Sequence, residues 1–270
     1  MTEVRERAAA ETPPLAIVIL AAGRGSRLGA SGDDVPKWFL PVGARSIADW
    51  QLEGLRRASD LWSRVLVVTG YLSEAFDPSP LSRRLGQRCE LVHNARYASR
   101  NNWLSLQLAL SRLGDDAWEG SVCVLNSDLL LSPGVLRRFL ETATRQGTSI
   151  VAVDLDAPRS DEQMKIVVDP ATGRVVDIGK DALTGVAAGE YVGLSKIDAR
   201  HLPLLAEILD SFLHDPARKS EWYEAGFRDA MRAGAEFTTF RVDSGRWIEV
   251  DDGEDLDRAR NIARLVEEED

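Results

Sequence analysis

The chain has 270 residues, 44% of them hydrophobic and 28% charged, with a formal net charge of −10. That is enough for one large domain or two small ones, in the composition of an ordinary globular protein. The acidic balance excludes general nucleic-acid binding, since no basic excess exists to neutralise a phosphate backbone. No apolar run approaches the length of a membrane span.

Residues 1–14 (MTEVRERAAAETPP) are polar and charged and lack the apolar stretch of a signal peptide, so they read as a flexible leader. A cytoplasmic location follows by default, and 15–270 reads as a single domain. Strands are expected at 15–21, 64–69, 89–92, 121–126 and 149–154, with helical spacing of apolar residues at 46–59, 102–113 and 132–144. Ser132-Pro133 has the form of a helix start, an N-cap followed by proline at the first helical position. This alternation predicts an α/β fold with a mostly parallel central sheet. The second half departs from it. Residues 164–168 and 174–178 flank Asp169-Pro-Ala-Thr-Gly173 and read as a β-hairpin, the antiparallel excursion of the sheet. A strand at 190–195, helices near 198–213 and 219–232, short strands at 237–240 and 247–250, and a helix from Asp252 complete the chain.

The stretch with most chemical content is 15–41, LAIVILAAGRGSRLGASGDDVPKWFLP. An apolar strand empties into a loop carrying Gly23, Gly25, Arg27 and Lys37. Two glycines let the backbone approach a ligand and present its N–H groups, which is how a loop cradles phosphates. Arg27 and Lys37 add positive charge there, and Pro36 restricts the backbone ahead of Lys37. A dinucleotide fingerprint needs G-x-G-x-x-G and an acidic residue roughly 20 positions on, at the end of the second strand. Here the third glycine is displaced to Gly29 and the second strand ends in Thr69-Gly70. No G-K-[ST] follows the glycines, so it is not a P-loop either. A glycine-rich turn with incidental basic residues is the plain alternative.

Carboxylates gather at two later strand ends. Asp128 follows the strand 121–126, where α/β folds place their ligands, and could hold Mg²⁺ or simply cap a turn. In Trp247-Ile-Glu-Val-Asp251, alternation puts Glu249 and Asp251 on one face and Asp252 on the other. Asp251 is assigned to metal, and Asp252 to capping the last helix with Asp255 at the third helical position. Cys89 and Cys123 lie in apolar runs and read as buried free thiols; His93, His201 and His214 show no ligand-like spacing.

The combination L-A-A-G-R-G-S-R-L, Pro36-Lys37, an aspartate after a later strand and W-x-E-x-D-D near the C-terminus resembles the nucleotidyltransferase superfamily of sugar-nucleotide pyrophosphorylase-like enzymes. The resemblance covers about residues 15–265 and implies a Rossmann-like fold shared with the GT-A glycosyltransferases. It also implies transfer of a nucleotidyl group to a phosphorylated small molecule, with release of pyrophosphate. Asn94-Ala-Arg-Tyr97 followed by Asn101-Asn102-Trp-Leu-Ser105-Leu is similar to the N-x-x-Y…N-N-x-x-S-L stretch of bacterial phosphocholine cytidylyltransferases and their aminoethylphosphonate and inositol-1-phosphate relatives. On the residues alone, asparagine amides can read both edges of a base, and Asn101 or Asn102 could equally cap a helix.

The resemblance implies a nucleotide site of Ala21, Ala22, Gly23, Gly25, Asn94, Asn102 and Ser105, with Mg²⁺ on Asp128 and Asp251. Lys37 and Arg27 would hold the triphosphate of CTP, and Lys165 the acceptor's phosphate or phosphonate. A solvated strand lysine is the plain alternative for Lys165. Lys180, Glu190, Tyr223 and Glu224 would face the acceptor; Trp222 suits either core packing or cation–π contact with a quaternary ammonium. The partners implied are CTP and a small phosphorylated or phosphonate acceptor, with neither nucleic acid nor membrane, and a homodimer is compatible. Two other readings stand beside it: a glycosyltransferase using Asn126-Ser-Asp128 in place of D-x-D, and a non-catalytic nucleotide-binding module.

Overall fold

The computed structural model describes residues 14–25, 34–157, 163–182 and 188–269. Most of the expected leader and Arg27 lie outside the described residues.

A nine-stranded sheet organises the chain, with strands β1 (Leu15–Ala21), β4 (Arg64–Thr69), β5 (Cys89–His93), β6 (Ser121–Asn126), β8 (Ser149–Asp154), β9 (Lys165–Val168), β10 (Val175–Gly179), β11 (Gly189–Ile197) and β12 (Phe237–Arg241). Their order is β5-β4-β1-β6-β11-β8-β12-β10-β9. The strands β5, β4, β1 and β6 run parallel, as do β8 and β12. The antiparallel part is larger than a single hairpin: β11 pairs antiparallel with β6, β8 and β9, and β10 with β12 and β9. Because β9 returns to pair with β11, the second half of the sheet closes into a ring.

The first strand is buried along its whole length, which is why it reads as an unbroken apolar run. Leu15, Ile17 and Ile19 pack on one side with helices α1 (Ile47–Arg57), α4 (Pro133–Arg145) and α7 (Gly253–Glu269). Ala16, Val18 and Leu20 pack on the other with α3 (Trp103–Asp115), α5 (Leu202–His214) and α6 (Tyr223–Arg232). A short helix, α2 (Pro78–Leu85), precedes β5, and a two-residue ladder, β2 (Pro41–Val42) with β3 (Arg45–Ser46), precedes α1.

Local signals fix the helix starts. Ser46 accepts from Asp49 N while Asp49 Oδ2 accepts from Ser46 N, a capping box that sets the first turn of α1. Asp252 Oδ1 accepts from the Glu254 and Asp255 amides, and Asp255 returns the contact to Asp251 N and Asp252 N. Ser132 does precede Pro133 of α4, but its side chain makes no capping bond; its amide donates to Arg246 O instead. Among the described residues no helix is long and apolar enough to cross a membrane. Cys123 is buried, whereas Cys89 is only half-buried, on the outermost strand; both are free thiols.

Candidate active site

A cleft of about 1050 Å³ opens over the carboxyl ends of β1, β6 and β8, the edge where parallel strands deliver loops to ligands. Ala22, Gly23 and Gly25 line it after β1. Gly25 has φ +65°, a conformation that suits glycine. The loop is pressed against the end of β4. A Cβ on Gly70 would fall 2.8 Å from Ala22 O and from Tyr97 Cβ, so only glycine lets the two segments meet.

Lys37 begins a single 3-10 turn, Lys37–Phe39, after Pro36, whose carbonyl accepts from Phe39 N. Trp38 anchors that turn in the core and stacks with Phe76. The lysine is itself buried, and its Nζ donates to Asp128 Oδ2 at 2.8 Å and Asp251 Oδ1 at 2.7 Å. Burial alone would favour the neutral amine. The surrounding carboxylates Asp128, Asp251 and Glu249 overcome it and hold the ammonium above its ordinary range.

The two aspartates, 123 positions apart in sequence, meet through a small ladder that the sequence reading missed. Strand β7 (Leu129–Leu131) pairs antiparallel with β13 (Trp247–Glu249), and Val250 N donates to Asp128 O at 2.9 Å. Gln51, from α1, braces this corner. Its Nε2 donates to Asn126 O and Leu129 O at 2.8 and 2.7 Å, and its Oε1 accepts from Trp38 Nε1 at 2.9 Å. One buried amide thus ties the Lys37 turn to the Asp128 turn.

Asp128, Glu249 and Asp251 each present an oxygen, all within 4.8 Å of one another. Asp128 Oδ1 is buried with no hydrogen-bond partner among the described residues. Oxygen donors so grouped, one of them unsatisfied, suit a hard divalent cation. Desolvation, then the charges of Asp128 and Asp251, lift Glu249 well above the carboxylate range, with Lys37 acting in the opposite direction.

The expected base-reading amides carry internal bonds. Asn94 is buried, its Nδ2 donating to Ser105 Oγ at 3.0 Å and its Oδ1 accepting from Arg96 N at 2.9 Å. Asn102 Oδ1 accepts from Tyr223 N, capping α6 rather than its own helix, and Asn101 Nδ2 donates to Ser220 O. Asn94, Asn102 and Ser105 all line the cleft. Ala21 is buried at the end of β1 and does not line it.

The cleft is lined as well by Lys180, Glu190, Trp222 and Glu224. Lys180 Nζ lies 5.1 Å from the Trp222 ring centroid. That ring is 40% exposed, so it is not the core residue its neighbours in sequence suggest. Burial pushes Glu190 up to about 7; Gln163 Nε2, 2.7 Å from its Oε2, opposes the shift and Asp154 reinforces it. Asp154, at the end of β8, is buried and accepts from Ser244 Oγ and Trp247 Nε1. Two expected acceptor residues sit elsewhere. Lys165 is half-buried and does not line the cleft, and its Nζ donates one N–H to Lys180 O at 2.9 Å. The Tyr223 hydroxyl is paired with that of Tyr191 and donates to Asn126 Oδ1, inside the protein.

Glu249, Gln51 and Asp154 are the site residues that the sequence reading did not select. Glu249 carried a signal, its shared face with Asp251; the other two are identifiable only from non-local contacts.

The chain is similar to known proteins over much of its length. It is 27% identical over 268 residues to the CMP-5'-(3-aminopropyl)phosphonate synthase of Streptomyces rubellomurinus, covering 96% of this chain and 40% of that protein. With the choline-phosphate cytidylyltransferase of Streptococcus pneumoniae the identity is 32% over 127 residues, 47% of this chain and 50% of that one. The chain therefore spans half or less of the length of these two relatives. Among solved structures, the phosphocholine cytidylyltransferase of S. pneumoniae superposes with a TM-score of 0.73 at 22% identity, covering 93% and 99% of the two chains. The inositol-1-phosphate CTP transferase of T. maritima gives 0.72 at 19% identity, covering 95% and 97%. At these identities the likeness speaks to the fold. The profile of the MobA-like NTP transferase domain matches residues 17–221, and the chain belongs to that family.

Proposed function

We propose that this protein transfers a cytidylyl group from CTP to a small phosphorylated or phosphonate acceptor and releases pyrophosphate. One observation carries the reading: a buried lysine bridges two carboxylates from distant strands beside a glycine loop, at the mouth of a large cleft. The names of the two curated relatives, both cytidylyl-transferring, support the choice of CTP.

The triphosphate would lie along the backbone of Gly23 and Gly25, with Lys37 supplying positive charge where negative charge builds on the phosphates. An acceptor phosphate or phosphonate oxygen attacks the α-phosphorus. A new P–O bond forms, the bond to the bridging oxygen breaks, and that oxygen leaves with the pyrophosphate. The attacking oxygen is already ionised, so no side chain need remove a proton. Asp128, Glu249 and Asp251 would hold a magnesium ion, which when bound supplies Lewis-acid neutralisation of phosphate charge. Asn94, Asn102 and Ser105 form the wall against which the base would rest, and Lys165 acts by fixing the backbone that carries Lys180. Arg27 is assigned to the triphosphate on its motif alone.

The glycosyltransferase reading loses support at Asn126. Asn126 lines the cleft, but its Oδ1, the atom that would ligate a metal as the first residue of D-x-D does, already accepts from the Tyr223 hydroxyl. The test is pyrophosphate release with each of the four common NTPs and a panel of phosphate and phosphonate acceptors, the coupled product identified by mass. Release with CTP and the matching CMP-linked product are expected. Release with no NTP and acceptor pair refutes the assignment.

A further inference from the structure

The strand that delivers Glu249 and Asp251 has little of its own to fix its register. β13 is three residues long and pairs with the three of β7, Trp247 opposite Leu131, Ile248 opposite Leu130 and Glu249 opposite Leu129. Side chains alternate along a strand, so Trp247 and Glu249 share one face, and a slip of one position would turn both to the other. Beyond Glu249 the chain is tied down by Val250 N on Asp128 O and by Asp251 N on Asp255 Oδ2. Ahead of Trp247 lies a turn at 243–246, closed by Arg246 N on Asp243 O, with Gly245 at φ +82°.

Asp154 fastens both the turn and the strand. It ends β8, which lies inside the large sheet between β11 and β12, and it is 2% exposed. Its Oδ2 accepts from Trp247 Nε1 at 2.9 Å and from Ser244 Oγ at 2.7 Å, and its Oδ1 accepts from Asp156 N at 2.9 Å. No basic side chain pairs with it among the described residues. A carboxylate offers only acceptors and suits this ring of donors, whereas a carboxamide would turn an N–H toward one of them. Pinning the Trp247 indole to a central strand therefore sets the face on which Glu249, two residues on, presents its oxygens.

Resting on the cytidylyltransferase reading and its magnesium at Asp128, Glu249 and Asp251, we propose that Asp154 is a positioning residue. Through Trp247 it holds the register of β13, and so the carboxylates that take the metal.

Mn²⁺ binding to the purified protein, read by EPR with and without CTP, tests this beside kcat and KM. Asp154→Asn disturbs the ring of donors; Trp247→Phe removes the indole N–H and keeps an aromatic ring. Each should raise the Kd for Mn²⁺ by about 10-fold or more, as loss of outer-shell support does, and lower kcat, with KM for the acceptor at saturating metal near wild type. The double variant should lose little more than either single one, because both break one link. Reduced stability in urea with wild-type Mn²⁺ affinity in the folded variants overturns the role. Both residues line the cleft, so a raised KM for CTP or acceptor with unchanged Mn²⁺ affinity would make Asp154 a substrate contact and overturns it too. Should Asp154→Asn not fold, Trp247→Phe decides alone. Failure of the transfer reading is separate: it shows as no pyrophosphate release from a wild type that still binds Mn²⁺, whereas a wild type that binds none removes the positioning role.

Discussion

Glu224 permits a stability experiment that requires no substrate. Its carboxyl is buried, and burial raises its pKa from the ordinary 4.5 to about 7, partly offset by its own backbone N–H and by the charge of Lys180, with Asp128 adding to the shift. A raised carboxyl pKa means the folded protein holds this proton more tightly than the unfolded chain. The resulting stabilisation is complete below about pH 4.5 and is lost as pH rises through about 7. A shift of that size corresponds to about 3 kcal/mol as an upper figure, at roughly 1.4 kcal/mol per pH unit. Glu224→Gln removes the titration and leaves the shape nearly unchanged. Unfolding free energies from urea titrations of wild type and variant, measured between pH 4.5 and 8.5, give the difference directly. Any constant offset reports the changed hydrogen bonding. The slope reports the carboxyl. The variant should gain about 2–3 kcal/mol on wild type across that range, with most of the change between pH 5 and 7.5. A difference flat to within about 0.5 kcal/mol would show that Glu224 ionises as it does in water, and the argument from its enclosure would fail.

Lys37→Ala should cut turnover by about 10²- to 10³-fold with a smaller change in the KM for CTP, since the lost charge acts where charge develops; near-normal turnover would refute its role. Gln51→Leu strands the Asn126 and Leu129 carbonyls and the Trp38 indole N–H, and should cost about 2–4 kcal/mol in urea unfolding; a cost under about 0.5 kcal/mol would show the brace to be idle. Gly193→Ala places a Cβ 2.8 Å from Asn126 Nδ2 in a backbone with φ +81°. It should destabilise by about 1–3 kcal/mol and reduce activity in the surviving folded protein, because Asn126 leads into the Asp128 turn; full specific activity would separate Gly193 from the site.

Four strands stand where the sequence puts them, at Leu15–Ala21, Arg64–Thr69, Ser121–Asn126 and Ser149–Asp154. Each is a short apolar run covered on both faces, and the last three are closed by the polar residues Thr69, Asn126 and Asp154. Helix starts with local chemistry, such as Ser46 and Asp252, were equally readable. Three residues, Leu129–Leu131, are too few to show a period, so the ladder that joins Asp128 to Asp251 stayed hidden. Their proximity was nevertheless foreseeable, because both lie at strand ends in a family pattern. Amides were the hardest to interpret. Asn94 and Asn102 look alike in sequence to a base-reading residue and to a brace, and only the partners Ser105, Arg96 and Tyr223 show the bonds they make here. Lys165 and Trp222 were as hard to read: the first turns to a backbone carbonyl, the second lines the cleft.

Closing β9 onto β11 leaves β5 as the open margin of the large sheet among the described residues. That margin is where a second chain could add a strand, in assembly or in aggregation. It is short, five residues, and carries Glu90 at its second position, held in ion pairs by Arg64 at 2.6 Å and Arg112 at 2.6 Å. Extending the ladder would have to bring another backbone alongside this charged cluster. The ring closure thus also confines the risk of strand-to-strand self-association to one guarded edge among the described residues.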